Sequence, residues 1–114
     1  SYDSYSKTGM GRWLVEDRIT RELYGWCGLK FNEDGEVDLG FRFMKRYWGR
    51  GIATEASLGC IEYGFKTLKV KEIVGRAMHL NQASIAVLKK IGMHYTGEVE
   101  CAKHPAVRYA LSRS

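Results

Sequence analysis

The residues best suited to chemistry form one short segment, Arg46-Tyr47-Trp48-Gly49-Arg50-Gly51-Ile52-Ala53. Two glycines spaced two apart let the backbone turn tightly and approach a ligand closely. A helical pattern begins directly after them, and free N–H groups at a helix start bind anions, aided by the helix dipole. Arg46 and Arg50 add positive charge. The segment therefore favours a phosphate ligand, although a plain strand-to-helix turn with exposed arginines fits the same residues.

Two common phosphate-binding motifs are excluded by the same residues. No Gly-Lys-Ser/Thr follows the glycines, so the segment is not the phosphate loop of nucleoside triphosphatases. Its glycine spacing is also not that of the dinucleotide-binding fingerprint, so a dinucleotide fold is unsupported.

The elements that must position this segment follow from periodicity. Residues 36–44 alternate strictly, with Val37, Leu39, Phe41 and Phe43 on one face. Helical spacing follows, and the region 36–79 therefore predicts a parallel strand pair joined by a right-handed crossover. The whole pattern predicts a mixed α/β fold of order β-β-β-α-β-α-β-β, with strands at 11–17, 22–31, 36–44, 72–79, 94–101 and 106–112. The first helix shows helical spacing from Ala53 to Leu68, after the pattern changes at Trp48, and the second helix covers 82–91.

Length and composition are those of one domain over 1–114, with 45% apolar and 27% charged residues. Residues 1–10 lack a clear period, which predicts a loosely held arm or the remnant of a missing upstream segment. The three cysteines are far apart and odd in number, without a Cys-x-x-Cys pair, which argues against a zinc site and against a disulfide framework and fits a reducing cytoplasm; no metal site is expected. No apolar run is long enough to cross a membrane. The net charge of +5 suits an anionic partner, although on charge alone a merely basic soluble surface is the simpler explanation.

Several segments together resemble one family. Arg-x-x-Gly-x-Gly at 46–51 resembles the acetyl-CoA signature of the GNAT N-acetyltransferases. Leu39-Gly40-Phe41, the run 47–56, Asn81-Gln82-Ala83-Ser84-Ile85 and the run 88–93 resemble its RimJ/RimL branch, in the same order, over about residues 23–112. The resemblance implies a mostly antiparallel twisted sheet whose central parallel strand pair splays apart around acetyl-CoA.

The resemblance also implies a cofactor site. The pantetheine arm would lie along the backbone of residues 41–44, Asn81 would hydrogen-bond it, and Ser84 would lie near the sulfur. Lys89 or Lys90 would reach the adenosine phosphates, although a solvated helix face also explains this pair. Arg46 would add charge beside the phosphates. The implied cofactor-binding set is Phe41, Arg42, Phe43, Met44, Arg46, Trp48, Gly49, Arg50, Gly51, Ile52, Ala53, Asn81, Ser84 and Lys89, in which the N–H groups of 48–53 would hold the pyrophosphate.

The implied reaction is direct attack of a primary amine on the thioester, and the amine must lose a proton to a base. Asp38 is the first candidate, because many relatives carry a Glu there and because it shares a strand face with Glu36, whose charge would raise its pKa. His79 is the second. Many relatives protonate the leaving thiolate with a Tyr at the position of Leu88, so Ser84 becomes the expected donor.

The start of the chain departs from the family, which normally opens with a strand and one or two helices that wall the acceptor site. The acceptor, a protein N-terminus or a small-molecule amine, is therefore not identified. An incomplete sheet also predicts a homodimer. A non-catalytic acyl-CoA-binding relative remains an alternative. A basic nucleic-acid-binding module that uses Tyr47 and Trp48 is a more distant one.

Overall fold

The computed structural model describes residues 3–7, 12–17, 19–101 and 103–113. Within them, four strands come first, then a helix, a strand and a second helix, and two strands end the order, which gives seven strands and two helices. They are β1 (Asp3–Lys7), β2 (Arg12–Asp17), β3 (Leu23–Phe31), β4 (Val37–Phe43), a 3₁₀ turn (Lys45–Tyr47), α1 (Ile52–Lys66), β5 (Glu72–Met78), α2 (Gln82–Lys90), β6 (His94–Cys101) and β7 (His104–Ser112).

The strands form one sheet of order β1-β2-β3-β4-β5-β7-β6. Neighbours run antiparallel except β4 and β5, which are parallel. The mixed fold, with a parallel pair at the centre of an otherwise antiparallel sheet, is confirmed. The strand and helix boundaries fall close to the predicted ones, apart from β7, which starts at His104 and includes Pro105.

The amino-terminal segment differs from the expectation. Residues 1–10 were expected to be either a loosely held arm or the remnant of a missing upstream segment. In place of a loose arm, Asp3–Lys7 is a strand that pairs with β2, from Asp3 opposite Asp17 to Lys7 opposite Trp13. A strand can pair with the edge of a sheet through backbone hydrogen bonds alone, without alternating apolar residues. The pattern of apolar residues in the sequence therefore could not predict this strand.

Local signals explain the elements that carry the site. The β3–β4 hairpin turns at Asn32–Gly35, where the Gly35 N–H donates to the Asn32 carbonyl (3.0 Å) and Gly35 has φ +92°. In α1, Ile52, Ala56 and Cys60 recur every four residues and are buried, so one helix face packs on the sheet.

Both helices cover the same face of the sheet. A Cβ added at Gly64 of α1 would stand 2.9 Å from Ile73, and one added at Gly75 would stand 2.6 Å from Leu88 of α2. Residues 73 and 75 point to one side of β5, because side chains alternate along a strand. The apolar core therefore lies between this face and the two helices, and the opposite face is free of both helices. Neither described helix is long and apolar enough to cross a bilayer.

Candidate functional site

The central feature is an opening between β4 and β5. Each strand has seven residues, yet they pair only at Asp38 with Val74 and at Leu39 with Gly75. On its other side β4 stays paired with β3 as far as Phe43 opposite Gly25. The Met44 N–H donates to the Tyr24 carbonyl (2.9 Å), so by alternation the peptide groups of Phe41 and Phe43 face the opening. A ligand can therefore pair with β4 there as an additional strand.

A groove of about 1050 Å³ occupies this opening. Its walls come from β3, β4, the loop before α1, the end of β5 and the start of α2. It gathers eight of the residues expected from the sequence: Phe41, Arg42, Phe43, Met44, Trp48, Ala53, Asn81 and Ser84. The sequence-based interpretation missed Leu23, Gly25, Trp26, Lys45, Met78, Leu80, Ala83 and Val87. Trp26 could have been found from the hairpin register, which sets it opposite Arg42.

The glycine loop, residues 48–51, leads into α1 with an anion-binding geometry. Gly49 and Gly51 have φ +80° and +78°, and a Cβ at Gly49 would meet nothing within 4 Å. The first helical hydrogen bond runs from the Glu55 N–H to the Gly51 carbonyl (3.0 Å), so the N–H groups of residues 52–54 precede the helix's own bonding. The Trp48 N–H instead donates to the Lys45 carbonyl (3.0 Å), so it does not serve as a donor to a ligand.

The side chains of Ile52 and Trp48 contact the rest of the protein, beyond the part that their backbone plays in the loop. The Ile52 side chain is 1% exposed and belongs to the core, so only its N–H can serve a ligand. The Trp48 indole lines the groove and donates from Nε1 to the Phe43 carbonyl (3.0 Å). This bond ties the loop to β4 at the mouth of the opening.

The predicted cations outside the groove lining are Arg46, Arg50 and Lys89. The guanidinium carbons of Arg46 and Arg50 lie 5.0 and 5.5 Å from the ring centre of the buried Tyr47, and Arg46 also contacts Glu22 at 3.5 Å. Burial is the main cause of a raised Tyr47 pKa, which keeps the phenol neutral. Tyr47 therefore anchors two positive charges beside the glycine loop. Lys89 is exposed in the last turn of α2.

At the start of α2, Asn81 and Ser84 face the groove together. The Asn81 Oδ1 accepts from the Ser84 N–H (3.1 Å), which is the N-cap predicted from the sequence. The Asn81 side-chain NH₂ makes no hydrogen bond to any described residue, so it can donate to a ligand. Leu88, where many relatives carry a tyrosine, is 1% exposed and packs in the core.

Asp38 lies outside the groove lining, one residue before Leu39, where the β4–β5 pairing stops. It accepts from Asn32 Nδ2 (2.5 Å) and forms an ion pair with Arg76, which also binds Glu36. Arg108 of β7 binds Glu36 as well. The hydrogen bond from Arg108 is the largest cause of a lowered Glu36 pKa, so the raised pKa that a neighbouring carboxylate alone would produce is not found at Glu36.

His79 lies between two groove residues, Met78 and Leu80, but its ring turns to β6. Its Nε2 pairs with Glu98, which also accepts from the Tyr95 hydroxyl (2.6 Å). These two contacts, Tyr95 first, lower the Glu98 pKa. The structure thus separates the two base candidates, Asp38 at the foot of the opening and His79 at its rim.

The cysteines provide no nucleophile in this region. Cys27 and Cys60 are buried with their Sγ atoms 2.9 Å apart, and the contact with Cys27, together with burial, raises the pKa of Cys60. The Cys60 thiol therefore stays protonated at neutral pH. Among the described residues, no group of His, Cys, Asp and Glu side chains is arranged to hold a metal ion.

Comparisons with known proteins agree with this geometry. Residues 2–94 match the family model described as an acetyltransferase (GNAT) domain. The uncharacterised protein YkkB of Bacillus subtilis is 34% identical over 104 residues, which are 89% of this chain and 60% of that protein. A GNAT-family acetyltransferase structure from Bacillus anthracis aligns with TM-score 0.79 and 27% identity, over 90% of this chain and 66% of that one.

A third comparison supports the fold alone. The ribosomal-protein-S5-alanine acetyltransferase of Vibrio fischeri aligns with TM-score 0.79 at 19% identity, over 89% of this chain and 60% of that chain. The present chain thus spans about three-fifths of the lengths of these proteins. The family model matches most of the chain, and the separated strand pair and the glycine loop lie where the resemblance to this family predicts them. The chain therefore belongs to the GNAT acetyltransferase family.

Proposed function

We propose that the chain binds acetyl-CoA in the groove between β4 and β5 and transfers the acetyl group to a primary amine, either a protein N-terminus or a small molecule. The observation that carries this proposal is the parallel ladder that stops at Leu39 and Gly75 and opens into a groove of about 1050 Å³ beside the glycine loop. The family's general reaction, acetyl-CoA-dependent N-acetylation, supports it.

The residues present fit the parts of acetyl-CoA. The N–H groups from Gly49 to Ala53 suit the pyrophosphate, with Arg46 and Arg50 held nearby by Tyr47. The peptide groups of Phe41 and the Phe43 N–H suit the pantetheine amides, and Asn81, whose NH₂ makes no hydrogen bond to a described residue, lines the same groove. Lys89 is placed to reach phosphates only if the adenosine end extends along α2.

When bound, acetyl-CoA supplies a thioester as the acetyl donor. Two residues of this chain are proposed to move protons around it. Ser84, in the groove lining, protonates or stabilises the departing thiolate. Asp38, at the foot of the opening on the face free of both helices, accepts the proton of the amine directly or through water. Its partners Asn32 and Arg76 fix its position, and His79 is the second candidate for this role.

We also propose a homodimeric assembly, the RimJ/RimL branch and a cytoplasmic location. The outer edges of β1 and β6 are unpaired in the described sheet, which favours a homodimer. The Vibrio fischeri structure supports the fold shared by the RimJ/RimL branch, to which the sequence motifs assign the chain. The reduced, touching thiols of Cys27 and Cys60 are compatible with the cytoplasm.

The second candidate is a non-catalytic relative that binds acyl-CoA without acetylating an amine. The observation that favours it is Leu88, which is buried in the core where many relatives carry a tyrosine acid. The two candidates share the cofactor site and differ only in turnover.

The deciding experiment is calorimetric titration of the chain with acetyl-CoA and CoA, with ATP as a comparison, followed by thiol release with a panel of amines. Micromolar binding of both CoA species with release supports the enzyme, and binding without release supports the second candidate. Gly51→Glu places a like charge beside the phosphates and abolishes binding. Gly35→Glu is the matched control at another positive-φ glycine and retains it. If wild type binds neither CoA species, the proposal fails.

A further inference from the structure

The charged groups of the groove are all of one sign. Among its described lining residues, Arg42 and Lys45 are cationic and none carries a carboxylate. The remaining lining is mainly apolar, with Asn81 and Ser84 as polar groups. A polyamine in this groove would therefore meet positive charge without a compensating anion, which is unfavourable.

Arg42 stands apart from the cations that suit the cofactor. Along β4, Phe43 is 8% exposed and packs in the core under the helices, so alternation sends the Arg42 side chain to the opposite face, opposite Trp26 in register. The glycine loop, with Arg46 and Arg50, leads into α1 on the helix side. Arg42 is exposed and is not needed to complete that phosphate site.

The charge of Arg42 is also uncompensated. Arg76 and Arg108 pair with the carboxylates of Glu36 and Asp38. Arg42 makes no ion pair or side-chain hydrogen bond with any described residue. A guanidinium with all its donors available at the wall of a groove is suited to a carboxylate or phosphate, which it can bind through two parallel hydrogen bonds.

We propose that Arg42 selects the acceptor: the substrate class is a primary amine that also carries an anionic group, carboxylate or phosphate, bound by Arg42 on the face opposite the helices. This rests on the proposed function, because it assumes that acetyl-CoA lies along β4 in the same groove. Phe41, whose peptide groups face the opening, directly precedes Arg42. The anion would then lie within one side-chain length of the reacting nitrogen, as it does in an α-amino acid.

The test compares matched amines with acetyl-CoA as donor. The pairs are L-phenylalanine with L-phenylalaninamide, and O-phosphoethanolamine with ethanolamine, with spermidine as the polycation. In at least one pair, we expect the amine that carries the carboxylate or phosphate to have a kcat/KM about tenfold or more above that of the amine without it. The pair that shows this preference identifies the carboxylate or the phosphate as the recognised group.

The matched variants are Arg42→Gln and Lys30→Gln, since Lys30 is an exposed cation on the same sheet face, opposite Asp38 in register. Arg42→Gln should remove the preference by lowering the kcat/KM of the amine that carries the anionic group, whereas Lys30→Gln should keep the preference. Comparing each variant with wild type on the same amine cancels the differences in amine basicity.

A second readout does not need turnover: the same amines are titrated calorimetrically into the chain saturated with CoA. Binding of an anionic amine that Arg42→Gln weakens about tenfold supports the inference even if no amine is acetylated, in which case only the proposed enzymatic function fails. Equal kcat/KM values for amines with and without the carboxylate or phosphate overturn the inference. A higher kcat/KM for spermidine also overturns it, as does the absence of binding by the amines that carry an anionic group. An Arg42→Gln variant that no longer binds acetyl-CoA overturns it as well.

Discussion

Gly49→Ala tests whether the glycine loop exists for a ligand or only for its own turn. Gly49 has φ +80°, and a Cβ there would meet no protein atom within 4 Å. The protein itself therefore leaves room for a methyl group, and the cost to folding is the left-handed backbone alone, about 1–2 kcal/mol. At about 4 °C per kcal/mol for a domain of this size, the Tm should fall by about 4–8 °C.

The effect on ligand binding should be larger than that strain explains. The added methyl occupies the open space through which a phosphate approaches the N–H groups, and loss of one charge-assisted hydrogen bond raises a Kd about tenfold to a hundredfold. Calorimetric titration with acetyl-CoA gives the Kd, and thermal unfolding of the free chain gives the Tm. Gly49→Asn separates the two effects, because asparagine tolerates this conformation better and still carries a Cβ.

Gly92→Ala is the matched control. Gly92 has φ +95°, its Cβ would also meet nothing within 4 Å, and it lies after the end of α2 rather than in the loop. We expect a similar loss of Tm with the acetyl-CoA Kd within about twofold of wild type, since no ligand contact is removed. An unchanged Kd in Gly49→Ala would refute the loop as the phosphate site. An equal loss of affinity in Gly92→Ala would attribute the effect to strain alone.

Four further outcomes are expected. Asp38→Asn should lower turnover and flatten its pH profile without changing the acetyl-CoA Kd, whereas Glu36→Gln, in the same ion-pair network, should leave turnover near wild type; unchanged turnover in the first variant would move the base elsewhere. Ser84→Ala should lower kcat more than it weakens CoA binding, and an equal loss in both would make the serine a binding group only. Because the Glu36 pKa is lowered from 4.5, its stabilisation is fully present above that pH and is lost as the pH falls through the folded-state pKa; Tm measured between about pH 6 and 3 should fall less steeply in Glu36→Gln. Gly75→Ala should cost about 1–3 kcal/mol in a urea titration, because its Cβ would stand 2.6 Å from a leucine of α2, and Gly59→Ala, in open space on α1, should instead stabilise by up to about 1 kcal/mol.

The groove illustrates how far local patterns reach. The N-cap at Asn81, the hairpin at Asn32–Gly35 and the loop glycines follow from residues within a few positions of each other, and each was predictable from the sequence. The contacts of Asp38 were not. Its partner Arg76 lies 38 positions along the chain, and only the parallel register of β4 and β5 brings the two together. The register between strands that are distant in sequence depends on the packing of the whole core, so no local pattern of apolar residues predicts it.

The sequence by itself determined the order of the elements from β2 to β7, the parallel pair at the centre and the glycine loop before α1, since these depend on alternation, helical spacing and turn residues. The tertiary structure alone decided three things: the strand at Asp3–Lys7, the point at which β4 and β5 separate, and the groove walls contributed by Trp26, Met78 and Leu80. The reason is the same in each case. They depend on which distant backbones pair and where that pairing stops, and a folded sheet settles this through packing against two helices at once.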